Sequence, residues 1–208
     1  MLFATLQSAE AHARWVFVKE VLLSLVTTRM STVAFHLDYF LYPPVLLVFL
    51  GAALRGQSIF AAALLFILGL AVWTLAEYFL HRYALHHLPY FSKFHQAHHE
   101  EPHAMIGAPT LFTLLFFFVT TFVPIWFFLN ASIACAVFAG FLAGYVCFGA
   151  VHQAVHHSKS QSRLMRYFKK LHAIHHHGNS SKNFGVTTNF WDHVFGTHAT
   201  TLKRQDAS

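Results

Sequence analysis

Charged residues are scarce in this sequence, and the acidic ones are especially few. Asp and Glu occupy only eight of 208 positions, and all charged residues together make up 11% of the chain, against about 25% in ordinary soluble domains. Hydrophobic residues account for 56% of the chain. So little charge cannot keep that much apolar surface in water, which argues against both a soluble enzyme and a disordered chain. The composition predicts an integral membrane protein.

Cysteine is also rare. Cys135 and Cys147 are 12 residues apart in one apolar run, a distance of about 18 Å along a helix, which is too far for a disulfide. Charged residues interrupt the N-terminus before an adequate apolar core forms, so we expect no cleavable signal peptide. Neither feature points to an oxidising compartment.

Four apolar stretches approach the length of about 20 residues that crosses a bilayer. Residues 108–129 and 131–151 contain no charge and are separated only by Asn130, so they predict a tight helical hairpin. Residues 60–76 form a third span. Residues 39–54 form a weaker one with two prolines, which membrane helices tolerate. We therefore expect an all-α integral membrane protein with four transmembrane helices.

The basic residues predict how these spans are oriented. Of 14 Lys and Arg residues, 13 fall in residues 1–38, 77–107 and 152–208, and only Arg55 lies on the other side of the spans. The positive-inside bias therefore places both termini in the cytosol. Because the formal charge of +6 is spread between apolar spans rather than gathered on one polar element, we expect no nucleic-acid partner.

The chain divides into three parts by composition. Residues 1–37 mix charged and apolar positions, which predicts an amphipathic segment lying at the membrane interface. Residues 38–200 contain the spans and nearly all of the histidines, and residues 201–208 form a short polar tail.

Histidine is abundant, with 18 positions. Seven lie between His81 and His103, and nine lie between His152 and His198. Because the hairpin over residues 108–151 returns the chain to the side it left, both clusters face the same compartment. They can therefore contribute to one site.

The spacing within the clusters is typical of metal ligands on helices. Each cluster contains an H-x-x-H-H box, and His152 and His156 are four residues apart. Positions three and four apart share a helix face, so each box offers two or three imidazoles to one point. A helix over residues 58–87 would be about 45 Å long against a hydrocarbon core of about 30 Å, which would carry His81 and His86 into a cytosolic cap. About ten imidazoles converge there, enough for two metal ions.

The metal and its surroundings leave alternatives open. Imidazole suits Zn, Cu, Fe and Ni, and His12 and His36 fit ordinary packed or interfacial residues. Glu77 lies one turn before His81 and either orients it by a hydrogen bond or is an interfacial carboxylate. Asp192 is a weaker candidate for such support. Its segment either pins the C-terminal tail over the site or forms a simple interfacial turn.

These motifs together resemble a known superfamily. The segment E-Y-F-L-H-R-Y-A-L-H over residues 77–86, the two H-x-x-H-H boxes, the His152 and His156 pair and the tail over residues 183–197 are similar to the fatty acid hydroxylase/sterol desaturase superfamily of integral-membrane di-iron enzymes. The opening E-Y-x-x-H-R-x-x-x-H is most like fatty acid 2-hydroxylases. The resemblance covers residues 38–200 and implies that they form a catalytic domain.

The resemblance also implies the metal ligands. They are His81, His86, His95, His98, His99, His152, His156, His172, His175 and His176. The neighbouring His87, His157 and His177 are additional or substitute ligands, and Glu77 and Asp192 lie in the shell around the ligands. His103 and His193 have no assigned role.

The same resemblance implies the cofactors and partners. We expect two iron ions, with zinc as the alternative in isolated protein, and O2 as co-substrate. A fatty acyl lipid would enter from the membrane. The Phe-rich residues 112–128 either line its route or simply face the surrounding lipid. Electrons would come from a separate b-type cytochrome, or from a ferredoxin with its reductase. The membrane is the bacterial inner membrane or the endoplasmic reticulum, depending on the source.

Three other functions share part of this pattern. A sterol desaturase or a carotenoid hydroxylase would have the same metal site, because substrate choice depends on the shape of the cavity. A metal transporter or sensor belongs to another class, and its histidines would line a path through the spans. Residues 60–76 and 108–151 contain no histidine, which argues against that class.

Overall fold

The computed structural model describes residues 29–201, and this part of the chain is helical without β-strands. Four of its helices are long and apolar enough to cross a membrane, which confirms the predicted fold class. They are α1 (Thr32–Ala53), α2 (Ile59–Leu85), α4 (Thr110–Phe128) and α5 (Ala131–His157). Three shorter helices are α3 (Pro89–Glu100), α6 (Arg163–His177) and α7 (Phe190–Val194).

Three of the spans extend well beyond the apolar stretches that predicted them, and one of these is α2, which runs to Leu85. α1 begins at Thr32, within the segment expected at the interface, because Ser31 caps it by accepting a hydrogen bond from the Ala34 amide at 3.2 Å. Residues 1–28 of that segment, including His12, and residues 202–208 of the tail lie outside the described residues. α5 continues to His157, beyond the apolar stretch of residues 131–151 that predicted it.

The four spans form two hairpins whose short connections lie at one end. Gln57 Nε2, between α1 and α2, donates a hydrogen bond to Ser132 Oγ at the start of α5, at 2.9 Å. The opposite end therefore holds the C-termini of α2 and α5, on which α3, α6 and α7 form a cap. Helices of 27 residues are about 40 Å long, against about 30 Å of hydrocarbon. Their last turns therefore reach the cap.

α5 is the central helix and packs mainly against α1 and α2. Its G-x-x-x-G pattern over residues 140–144 forms a close packing face, because a Cβ on Gly140 would lie 2.0 Å from the Phe66 carbonyl oxygen. One turn later, a Cβ on Gly144 would lie 2.5 Å from the Trp73 ring. This crossing fixes α2 and α5, which carry His81, His86, His152 and His156 into the cap.

Replacing Gly140 by Ala is expected to lower the melting temperature of the protein in detergent and the yield of folded protein. The added methyl group would meet a backbone carbonyl of α2, which cannot rotate away, so the two helices must separate. Gly51→Ala is the matched control, because nothing lies within 4 Å of a Cβ at that position. Equal melting temperatures for Gly140→Ala and the wild type would contradict the close crossing.

Candidate metal centre

Ten histidines converge in the cap as two groups of five. The ligand atoms in each group lie within 4.8 Å of one another. Two ligand atoms on opposite sides of one metal ion, each with a bond of about 2.1 Å, would be about 4.2 Å apart, which is close to this distance. The first group contains His81, His86, His95, His99 and His175, and the second contains His98, His152, His156, His172 and His176. The structure thus brings together all ten residues that the resemblance implies.

Each H-x-x-H-H box contributes to both groups. In α3, His95 and His99 join the first group, whereas His98 joins the second. In α6, His172 and His176 join the second group, whereas His175 joins the first. Residues four apart differ by about 40° around a helix and residues three apart by about 60° in the opposite sense. The central histidine therefore points to the neighbouring group, and α3 and α6 exchange one imidazole each.

A π-helical turn brings His81 and His86 into the same group. They are five positions apart in the sequence, which on an α-helix would place them about 140° apart around the axis. α2 changes to π-helix over Leu80–Leu85, where hydrogen bonds run from residue i to i+5. The two rings consequently stack, with centroids 5.4 Å apart and planes at 22°. This turn was not predicted from the sequence, in which the five-residue spacing of His81 and His86 was its only signal.

Hydrogen bonds on the outer side of two rings fix which nitrogen faces inward. His81 Nδ1 lies 2.5 Å from the Phe184 carbonyl oxygen, and His175 Nδ1 lies 2.8 Å from that of Lys182. Because a carbonyl only accepts, both Nδ1 atoms donate and both Nε2 atoms present lone pairs. His81 Nε2 faces His95 Nε2 at 3.0 Å. Nitrogens turned inward in this way fit the donor set of a bound metal ion.

The second group fits a metal on independent grounds. His98 Nε2 and both ring nitrogens of His176 are buried and have no hydrogen-bond partner within residues 29–201. Leaving buried polar atoms without partners is costly, and coordination of an ion would satisfy them. His172 Nε2 and His156 Nε2 approach to 2.9 Å in the same group.

Burial keeps four of the grouped imidazoles neutral. Loss of hydration, reinforced by neighbouring imidazoles, lowers the pKa of His86 and His99 to about 4 and the pKa of His98 and His175 to about 3. All four rings are therefore uncharged at pH 7. A neutral ring is the form that binds a metal ion.

Glu77 supports the site, but by a different contact from the expected one. It forms no hydrogen bond with His81. Instead its buried carboxylate accepts hydrogen bonds from the Val186 amide at 2.6 Å and the Thr187 amide at 2.9 Å, and from the Thr187 hydroxyl. Glu77 therefore holds the loop after α6, and the Phe184 carbonyl of that loop orients His81.

Asp192 holds the same loop from its other side. Its fully buried carboxylate accepts hydrogen bonds from the amides of Phe184 and Gly185, both at 2.9 Å, and from the Thr197 hydroxyl at 2.7 Å. The neighbouring Trp191 donates to Thr74 Oγ1 of α2 at 3.0 Å. Of the two interpretations of this segment, the structure supports pinning of the tail over the site.

The remaining histidines within residues 29–201 lie outside both groups. His87, His157 and His177 are exposed neighbours of the ten. The rings of His103 and His157 are 5.4 Å apart, and those of His193 and His198 are 4.0 Å apart. His36 is half-buried, with its Nε2 3.0 Å from Gln153 Nε2, as expected of a packed residue.

A cavity of about 400 Å³ adjoins both groups. Its lining includes His81 and His95 of the first group and His98, His152 and His156 of the second. Most of the remaining wall is apolar and aromatic. From the Phe-rich run, Phe112, Phe116 and Phe117 line the cavity, whereas Phe127 and Phe128 are exposed on the outside of α4.

Comparison with known proteins agrees with this architecture. Residues 66–197 match the sequence profile described as fatty acid hydroxylase, and they make up more than half of the chain. The chain belongs to the fatty acid hydroxylase family. The membership confirms the resemblance drawn from the histidine motifs.

Several members of the fatty acid hydroxylase family are similar in sequence. The chain is 38% identical over 172 residues to the ceramide very long chain fatty acid hydroxylase SCS7 of Saccharomyces cerevisiae, covering 74% of this chain and 43% of that protein. It is 31% identical over 160 residues to the dihydroceramide fatty acyl 2-hydroxylase FAH2 of Arabidopsis thaliana, covering 70% and 65% respectively. This member of the family thus spans less than two thirds of the length of either relative.

A solved structure of a fatty acid hydroxylase has the same fold. It is that of full-length scs7p, in which only the hydroxylase domain is visible. It matches with a TM-score of 0.71 and 37% sequence identity, covering 80% of this chain and 67% of that chain.

Proposed function

We propose that this protein is a membrane oxygenase that hydroxylates a C–H bond in the acyl chain of a lipid, using O2 and electrons from a separate carrier. The observation that carries the proposal is one apolar cavity whose wall contains histidines of both five-residue groups. The relatives named ceramide or fatty acyl hydroxylases support a lipid substrate. We assign the catalytic domain to residues 38–200.

The ten grouped histidines would hold two iron ions, with zinc as the alternative in isolated protein. When bound, such ions would supply the activation of O2. The protein's own residues hold the rings in place, since carbonyl oxygens of Lys182 and Phe184 fix His175 and His81. The aromatic wall of the cavity would seat the acyl chain and exclude water from the site.

The orientation of the protein follows from its charge. We assign the cap and both termini to the cytosolic side, because nine of the ten Lys and Arg residues within residues 29–201 lie on the side of the cap. A cytosolic cap would let a soluble or membrane-anchored donor, a b-type cytochrome or a ferredoxin with its reductase, deliver electrons.

Metal analysis of the purified protein, followed by lipid profiling of cells with and without it, tests this function. We expect two iron ions per chain and a new 2-hydroxy fatty acid in the lipids of expressing cells. A new double bond in a sterol or a hydroxylated carotenoid would move the assignment to one of the alternative activities. One zinc ion per chain with an unchanged lipid profile would overturn the proposal.

A further inference from the structure

The last helix of the cap, α7, lies against the membrane-spanning part of α2. Trp191 Nε1 donates a hydrogen bond to Thr74 Oγ1 at 3.0 Å, and the Phe195 ring stacks on Tyr78 with centroids 5.1 Å apart and planes at 22°. A hydrocarbon core of about 30 Å takes up about 20 residues of a helix, and both contacts fall within about the first 20 residues of α2. α7 therefore lies at the depth where the hydrocarbon ends.

α7 presents apolar side chains on its outer surface at this depth. Phe190 and Val194 are 57% and 54% exposed, and Phe195, directly after the helix, is also exposed. Positions four apart share a helix face, so Phe190 and Val194 lie side by side. An apolar helix face at the boundary between acyl chains and headgroups is stabilised by contact with lipid. α7 thus seats this side of the cap in the edge of the bilayer.

A row of basic residues on α6 begins beside α7. The Tyr167 hydroxyl accepts a hydrogen bond from Asn189 Nδ2 at 2.6 Å, and Asn189 directly precedes α7. Arg163, Arg166 and Lys170 are exposed and share a helix face with Tyr167, because all four are three or four positions apart. Their side chains line an open recess in the surface of the cap. These three basic residues, the α6 stripe, therefore lie next to the membrane-seated helix, at the level of the headgroups.

The α6 stripe has no opposite charge within the part of the chain that the structure describes. The ion pair formed within residues 29–201 joins Arg29 to Glu101, and α6 itself contains no Asp or Glu. The neighbouring Lys169 is engaged elsewhere, since its ammonium group donates a hydrogen bond to the Ser158 carbonyl oxygen. Like charges three or four positions apart destabilise a helix, so a bound anion would stabilise this face of α6.

We propose that the α6 stripe binds the phosphate group of an anionic phospholipid in the leaflet that seats α7. A guanidinium group binds phosphate through two parallel hydrogen bonds, and the stripe offers two such groups and an ammonium group. The exposed apolar side chains of Leu164 and Phe190 lie beside the stripe. They favour a lipid over a soluble acidic protein, because a lipid joins its anion to acyl chains. This site shares no lining residue with the cavity at the metal centre.

Titration of phosphatidylglycerol into the purified full-length protein in a non-ionic detergent tests the site, with zwitterionic phosphatidylcholine as the comparison. Native mass spectrometry counts the bound lipids and gives the affinity of each. We expect the wild type to bind phosphatidylglycerol more tightly, and Lys170→Gln to weaken that binding about fivefold, the usual effect of one basic residue at an anionic surface. Binding of phosphatidylcholine should not change.

Lys93→Gln is the matched control for this titration. Lys93 is also exposed in the cap, but it is the only Lys or Arg in α3, so its loss should leave phosphatidylglycerol binding unchanged. Arg166→Gln should weaken binding as Lys170→Gln does, whereas Arg166→Lys, which keeps the charge, should bind more tightly than Arg166→Gln. These measurements need no turnover, so they are independent of the function proposed for the metal centre.

Three results would overturn the phospholipid site. The first is equal affinity of the wild type for phosphatidylglycerol and phosphatidylcholine, and the second is an equal effect of Lys170→Gln and Lys93→Gln. The third uses a ferredoxin as an acidic protein probe. If Lys170→Gln weakened binding of the ferredoxin and left binding of phosphatidylglycerol unchanged, the α6 stripe would be a surface for an acidic protein instead.

Discussion

Replacing His176 by Ala is expected to abolish activity and release metal, whereas the same change at the adjacent His177 leaves both intact. His176 belongs to the second histidine group, and its ring also stacks on His99 of the first, with centroids 4.2 Å apart. His177 is exposed and belongs to neither group. Changes in residues that merely support a ligand commonly cost 10- to 100-fold, so loss of a ligand itself should lower turnover by more than about 100-fold.

The measurement is the metal content of each purified variant, together with its turnover of an acyl lipid. We expect His176→Ala to retain one metal ion or fewer per chain and His177→Ala to retain the wild-type content, with turnover within about twofold. Comparable losses in the two variants would show that the site recruits His177. That result would contradict the division into two groups of five.

The sequence predicted the helices well because apolar length determines them. The predicted hairpin over residues 108–151 corresponds to α4 and α5. Segments without charge lie in lipid, where a helix satisfies all of its backbone hydrogen bonds internally. The exact ends were harder to predict. α1 extends to Thr32 through polar residues such as His36 and Asp38, whose hydrogen bonds to other helices replace water. Hydropathy does not register such tertiary contacts.

The candidate site was predictable in its membership but not in its arrangement. Helical spacing indicates which histidines share a face, and the family resemblance implied the ten residues. Spacing does not determine that the boxes of α3 and α6 exchange one ring, since this depends on how the two helices face each other. The π-helical turn at Leu80–Leu85 also escaped prediction, because a regular period of 3.6 residues was assumed for α2.

The role of Glu77 shows the same limit. Its position one turn before His81 suggested a direct hydrogen bond, which is a local contact. In the folded chain the carboxylate instead binds the amides of Val186 and Thr187, more than 100 residues away in sequence. Buried amides need hydrogen-bond acceptors, and the amides of a loop of this kind find them on the helix against which the loop packs. Such a partner is visible only once the tail is placed over the cap.

Replacing Asp192 by Ala is expected to destabilise the protein and loosen its metal site. The change would leave the Phe184 and Gly185 amides and the Thr197 hydroxyl without their acceptor, at about 1–3 kcal/mol for each buried donor. Since proteins are stable by only about 5–15 kcal/mol, we expect a large fall in melting temperature. Loss of these hydrogen bonds should also disturb the first histidine group, because the Phe184 carbonyl orients His81.

Thermal unfolding and the rate of metal release to a chelator, both measured in detergent, test this expectation. Glu100→Ala is the control, since Glu100 is exposed and bonds only to Gln96 within residues 29–201, and should change stability by less than about 0.5 kcal/mol. Metal release from Asp192→Ala should be faster than from the wild type even well below its melting temperature, because the loop that fixes His81 is loosened before the helices separate. An unchanged release rate alongside a lowered melting temperature would mean that the loop supports the fold without supporting the metal ligands.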